Sequence, residues 1–340
     1  MRRLMRVSLL LVIILAVVTS ALFYDHISSP APLPAEGLVI TIPSGATLGR
    51  VTRQLSQEGV IEKPLYWKLL ARITGKANQI KAGEYQLSGQ LSPSEILDIL
   101  VSGKSLQYSL TIPEGWTFQQ MLTALAGKAE IRQTLDNTDT TEIMRQLGAE
   151  GLHPEGRFLP ETYFFTRNTS DLEILRRSFA AMQELLAKEW DNREDDLPLA
   201  TPDEALILAS IVEKETGVAD ERPTIAAVFI NRLRKGMRLQ TDPTVIYGMG
   251  DRYKGNIRKK DLLRDTPYNT YTRKGLPPTP IALPAASSIH AVLHPAQSDA
   301  LYFVASGGGR HYFSTTYEEH KQAVIKYLLN GNAARYKGDQ

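Results

Sequence analysis

"TPDEALILASIVEKETG", residues 201–217, is the stretch on which the reading of this chain turns. Thr201 can cap a helix, Pro202 suits its first position and Glu204 completes a capping box. Gly217 can end it. At about 100° per residue, Leu208, Ile211, Val212 and Glu215 share one face. Glu213 falls roughly opposite, beside Leu206 and Ala209. The helix is apolar nearly all round, so its two glutamates need a reason. A carboxyl among apolar neighbours holds its proton to higher pH, because burial penalises the charged form. A carboxylic acid still protonated near neutrality is what protonation of a departing glycosidic oxygen needs. The competing reading is an ion pair between Glu215 and an arginine such as Arg222 or Arg232. Spacing alone favours the ion pair, since structural pairs are common.

The ends of the chain set the topology. Val7 to Tyr24, "VSLLLVIILAVVTSALFY", is 18 residues without a charge, near the lower end of what crosses a hydrocarbon core as a helix. Arg2, Arg3 and Arg6 precede it and favour a cytoplasmic N-terminus. The apolar run exceeds a typical signal-peptide core, so a retained anchor is preferred to a signal cleaved after Thr19-Ser20-Ala21. Either way the bulk of the chain lies outside the cytoplasm. The formal charge of +2 falls to −1 without those three arginines, so no basic field points to nucleic acid. No cysteine is present, which excludes disulfides and thiolate metal sites.

Five regions follow: a cytoplasmic tip and anchor at 1–24, a Pro-rich tether at 25–36, a β-α-α-β region at 37–107, a strand-turn-helix repeat with helical connector at 108–200, and a mixed α/β region at 201–340. The fold class is α+β. "GLVITIP", a helix capped by Thr47, "LYWKLLARI" after Pro64 and the returning "GEYQL" give the β-α-α-β order, which is similar to a LysM-type glycan-binding module. "TIPSGATL" (41–48) recurs as "TIPEGWTF" (111–118), each a strand ended by proline, a glycine turn and a threonine cap. Between them Ser92, Pro93 and Glu95 open another helix. "EGRFLPETYFF" (155–165) either packs a core or lines a cleft for sugar rings. "LYFVASGGGRHYF" reads as a β-hairpin, and Thr316 with Glu319 caps the last helix. His290 and His294 stand i, i+4. With no acidic third ligand in the motif and Pro295 following, they are not read as a metal site.

The stretch Ala209–Gly250, with "YNTYTRKGLPPTPI" (268–281) and the "LYFV…GGGRHYFSTTYEEH" ending, resembles the YceG-like endolytic murein lytic transglycosylases, and the likeness extends over nearly the whole chain. That resemblance implies cleavage of the MurNAc-β-1,4-GlcNAc bond of peptidoglycan with formation of 1,6-anhydro-MurNAc ends, terminating nascent strands. It gives the catalytic role to the second glutamate of E-K-E-T, Glu215, with no metal or cofactor. Expected substrate contacts are Gln240, Thr241, Asp242, Tyr247, Asn269 and Tyr271, the last two toward acetamido groups. Asp242 is also the rival second carboxylate, although Asp242-Pro243-Thr244 has the form of a helix start with aspartate as cap. The implied partners are glycan strands, the inner membrane through one helix, and peptidoglycan synthases, with the catalytic region periplasmic. A hydrolytic muramidase or a non-catalytic glycan-binding scaffold are the alternatives. The sequence departs from the family at Thr279, Glu161 and Leu283–Ala285, where loop geometry is in question.

Overall fold

A computed structural model describes residues 2–135 and 139–336. Residues 1, 136–138 and 337–340 of the expected tip, connector and C-terminal region lie outside it. The chain divides into two compact units, 2–108 with 164–168, and 109–163 with 169–336 among the described residues.

The first unit opens with α1 (Arg2–Ser28), whose Met5–Ser28 segment holds an 18-residue window with a mean hydropathy of 2.6 that is not buried inside the protein. The helix runs past Tyr24, where the uncharged stretch ends. Its last turns pack onto the unit's core through Phe23 and Ile27, with Phe23 edge-on to Tyr66 at 5.6 Å. The proline-bearing segment after it is held as well: the Ala31 N–H donates to the Leu91 carbonyl (2.7 Å) and Leu33 packs on the same core.

β1 (Leu38–Ile42), α2 (Leu48–Gln57), α3 (Pro64–Ile73) and β2 (Gly83–Leu87) follow in the expected β-α-α-β order. The strands pair antiparallel, Leu38 with Leu87 and Ile42 with Gly83. Alternation puts Ile40, Ile42, Tyr85 and Leu87 inward, as a half-buried ribbon requires. Trp67 and the inner face of α4 (Pro93–Ser102) complete the core, and the Trp67 indole N–H donates to the Pro93 carbonyl at 3.0 Å. Ser92 and Glu95 form the predicted capping box.

β3 (Tyr108–Thr111) pairs with a later strand, β4 (Thr162–Phe165). Between them lie α5 (Phe118–Ala126) and α6 (Thr140–Gln146). Both repeat copies close alike: Gly45 and Gly115 sit at φ +72°, the left-handed region glycine favours, and Thr47 and Thr117 cap the helices behind them. The rings of the 155–165 stretch are mostly core. Phe158 is fully buried and stacks on Phe118 at 4.7 Å, and Tyr163 and Phe165 are also buried.

The second unit continues with α7 (Asp171–Asp191), α8 (Pro202–Glu215), α9 (Arg222–Arg234), α10 (Asp242–Met249), α11 (Lys259–Leu263) and α12 (Ala286–Leu293). The hairpin β5 (Tyr302–Gly307)–β6 (Arg310–Ser314) and α13 (Tyr317–Tyr327) end the unit's regular structure apart from a last short turn. α8 is the central element. Every residue from Ala205 to Val212 is buried, packed among α7, α9 and α12. Thr201 caps it as expected, but Glu204 accepts from the Ala200 N–H (2.6 Å), one residue beyond the box position. α10 corrects a second expectation. Its cap position is Thr241, Asp242 is the first helical residue, and no side chain closes the cap.

Candidate active site

Burial of every residue from Ala205 to Val212 means that the apolar stripe of α8 cannot by itself single out one glutamate; their partners do. Glu213 points at the N-terminus of α12, where its Oε2 accepts from the Ala285 N–H (3.0 Å) and the Ser288 hydroxyl (2.7 Å). α12 has no capping side chain of its own, so Glu213 supplies from another helix the acceptor its first turn lacks. Arg222 lies 3.4 Å from the other oxygen and also pairs with Glu114 at 3.3 Å. Of the two arginines considered as partners for Glu215, Arg222 therefore belongs to Glu213, which is a structural residue, while Arg232 lines the hollow beside Glu215.

Glu215, the last residue of α8, opens instead into a hollow of about 360 Å³. Gln240, Asp242, Tyr271, Tyr302, Phe303 and His320 line it, with Arg232 also in the wall. The Thr241 hydroxyl donates to Glu215 Oε1. Burial pushes the Glu215 pKa up to about 6 despite that hydrogen bond, and the negative charge of Asp242 pushes the same way. His311 and Arg232 pull it down. This carboxyl can hold a proton at mildly acidic to neutral pH and, once it has given it up, be stabilised as a carboxylate.

The threonine shelf beneath it is built by the predicted segments. Thr241 is buried, its N–H donates to the Thr270 hydroxyl (3.0 Å), and its carbonyl accepts from Thr244 (2.8 Å). Gln240 sits at φ +52°, a conformation costly for a side-chain-bearing residue and often found at functional sites. Its N–H donates to the Thr270 carbonyl at 3.2 Å. The Tyr271 hydroxyl donates to Asp242 Oδ1 at 2.6 Å.

Two predicted contacts fall elsewhere. Asn269 is buried, and its amide donates to the carbonyls of Leu262 (2.9 Å) and Arg264 (2.7 Å) while its oxygen accepts from the Tyr271 N–H (2.9 Å). Its polar atoms are spent shaping the loop that presents Tyr271, so the expected contact with a glycan acetamido group is withdrawn. Tyr247 lines a second, larger cleft of about 1030 Å³ together with Thr117, Gln120, Lys214, Pro243 and Tyr253. There its hydroxyl donates to Glu155 at 3.1 Å.

Glu155 is the residue that sequence reasoning passed over in favour of its aromatic neighbours. It is buried at 4% exposure and also accepts from the Phe118 N–H at 2.9 Å. Burial lifts its pKa to about 7 against those hydrogen bonds. Gly156 beside it stands at φ +80°, with Pro280 so close that a Cβ would meet its ring at 2.4 Å, which leaves room for glycine alone. Two further residues lining the Glu215 hollow were also missed. Tyr302 and His320 stand about 90–105 residues downstream on the hairpin and α13, and no local spacing links them to α8.

A carboxyl with a raised pKa at a helix end, over a hydroxyl shelf and opening into a polar hollow, is an arrangement capable of general acid–base chemistry. The chain belongs to the YceG-like family, whose profile matches residues 40–326. It is 32% identical to the "Endolytic murein transglycosylase" of Bacillus subtilis, over 86% of this chain and 85% of that protein. The protein of the same name from Streptococcus pneumoniae is 27% identical, and this chain's match spans 58% of its length. Among solved structures, a YceG-like protein from Listeria monocytogenes shares 32% identity with a TM-score of 0.52, covering 85% of this chain and 99% of that one.

Proposed function

We propose that this protein is a membrane-anchored endolytic murein transglycosylase with Glu215 as its catalytic acid and base. The observation that carries this reading is the raised pKa, about 6, that burial gives Glu215 above the Thr241 hydroxyl, in a chain whose relatives bear that activity in their names. Glu215 donates its proton to the glycosidic oxygen as the C1–O bond of MurNAc breaks. The resulting carboxylate accepts the proton of the muramyl 6-hydroxyl as that oxygen bonds C1. The atoms balance without water, and the new end is a 1,6-anhydro sugar. An internal hydroxyl also has the advantage of high effective molarity.

A hydrolytic muramidase is the second reading, favoured by one observation. Asp242 is not the helix cap expected of it; it lies in the same hollow as Glu215 and accepts from Tyr271. Gln240, Thr241, Asp242 and Tyr271 are the proposed substrate contacts there, with Tyr247 in the second cleft. The β-α-α-β region is proposed as a LysM-like glycan-binding module and the anchor as a single inner-membrane span, N-terminus inside and catalytic region periplasmic. Peptidoglycan synthases are the proposed protein partners. Digestion of isolated glycan strands followed by mass spectrometry tests the chemistry. Products one water lighter than their hydrolytic counterparts and resistant to borohydride are expected; reducible muramyl ends would transfer the reaction to Asp242-activated water.

A further inference from the structure

The histidines at 290 and 294 gain in three dimensions the acidic partner that their own segment lacks. Glu189, on the last turn of α7, turns one carboxylate oxygen toward both: Oε2 lies 2.8 Å from His290 Nδ1 and 3.9 Å from His294 Nε2. The ligand atoms all lie within 4.8 Å of one another. The imidazoles are 4.4 Å apart between ring centres. Bonds of about 2.0–2.2 Å from one tetrahedral ion would place such ligands ~3.3–3.6 Å apart, so small side-chain rotations convert the cluster into a chelate.

We propose that Glu189, His290 and His294 form a binding site for a divalent transition-metal ion of the zinc type, with water in the remaining position. Two imidazoles and one carboxylate suit zinc, cobalt, nickel or copper and discriminate against magnesium and calcium, which prefer all-oxygen shells. The carboxylate is the covered member, at 18% side-chain exposure, and His290 is the open one at 61%. An ion therefore has both a preset anchor and an entry path. The site joins the end of α7 to α12, the helix whose first turn holds Glu213, and it is independent of the proposed glycan chemistry.

The test is a titration of the full chain, in detergent and without a polyhistidine tag, with Co2+ followed by its visible absorption. One saturable equivalent with intense tetrahedral or five-coordinate bands, displaced by Zn2+, is expected. His290→Ala and His294→Ala should each weaken binding by about tenfold or more, and Glu189→Gln by a similar factor, on the scale that even outer-shell changes produce at metal sites. X-ray absorption of the wild-type zinc complex should count two imidazoles, a readout that needs no variant. Absence of a saturable band up to millimolar Co2+, or binding that survives any one of the three substitutions, would overturn the site.

Discussion

Glu215 and Glu213 are two residues apart, the proposed function gives them different jobs, and each consequence can be measured. Glu215→Gln should fold and lose cleavage by about 10³-fold or more, since a positioned acid–base group contributes on that order. Glu213→Gln should keep most turnover, because it touches α12 and Arg222 and not the hollow. Near-normal turnover by folded Glu215→Gln, read as release of muropeptides, would end the assignment. The acid must be protonated to act, so the rate should fall as pH rises through about 6. The Thr241 hydroxyl stabilises the carboxylate form. Thr241→Val should lift the Glu215 pKa and move the descending limb of the pH–rate profile to higher pH, as well as lowering the maximum.

Glu155 makes a related prediction about stability. Its folded pKa of about 7 lies above the ordinary carboxyl value, so the folded state holds a proton there that the unfolded chain releases. The stability linked to that proton is complete below pH ~4 and is lost as pH rises through 7. Glu155→Gln removes the ionisation. Relative to the wild type it should gain up to about 2 kcal/mol at pH 8 and little at pH 5, seen as a melting temperature less sensitive to pH. An equal effect at both pH values would contradict the burial argument.

Among the elements, the helices legible in the sequence are those that carry their own end signals. Thr47, Ser92, Thr117, Thr201 and Thr316 all cap the helices predicted for them. α10 and α12 misled or escaped the same reasoning because their ends are not closed locally. The acceptor for α12 arrives from Glu213, and the Asp-Pro start of α10 places its aspartate one residue inside the helix. The candidate site was half legible for the same reason. α8 stood out by its buried spacing, but the choice of Glu215 and of the 240–242 segment came through the family resemblance, whereas Tyr302, His320 and Glu155 reach their places through tertiary packing. Because Glu213 is both a cap and the partner of buried Arg222, Glu213→Ala should cost about 3 kcal/mol, well above the ~1 kcal/mol of Thr201→Ala at an ordinary cap. Urea denaturation of the two variants at one pH compares them directly, and equal midpoints would show that α12 does not depend on its borrowed acceptor.

For the whole molecule, the apolar helix, the β-α-α-β region and the helical unit were all recognisable from composition and periodicity. The attachment of the anchor was not. A proline-bearing stretch reads as a loose tether, yet Ala31 and Leu33 are built into the first unit's core. Removing residues 1–24 should therefore give a soluble chain with intrinsic activity on isolated strands, since Ile27, Ala31 and Leu33 remain. Starting instead at residue 37 should lower the melting temperature of the first unit, because its core loses those side chains. Identical melting of the two truncations would return the segment to the status of a linker.

That continuity turns the anchor into a ruler. Met5–Ser28 is 24 residues, about 36 Å of helix at 1.5 Å per residue, while the hydrocarbon core is about 30 Å thick. Only a turn or so is left over, and that turn carries Phe23 and Ile27 into the first unit's core. In a bilayer the β-α-α-β region would then ride at the level of the lipid headgroups, with no slack by which to drift outward. Mounted this way, the first unit would be held at one altitude over the bilayer, set by the length of the helix beneath it.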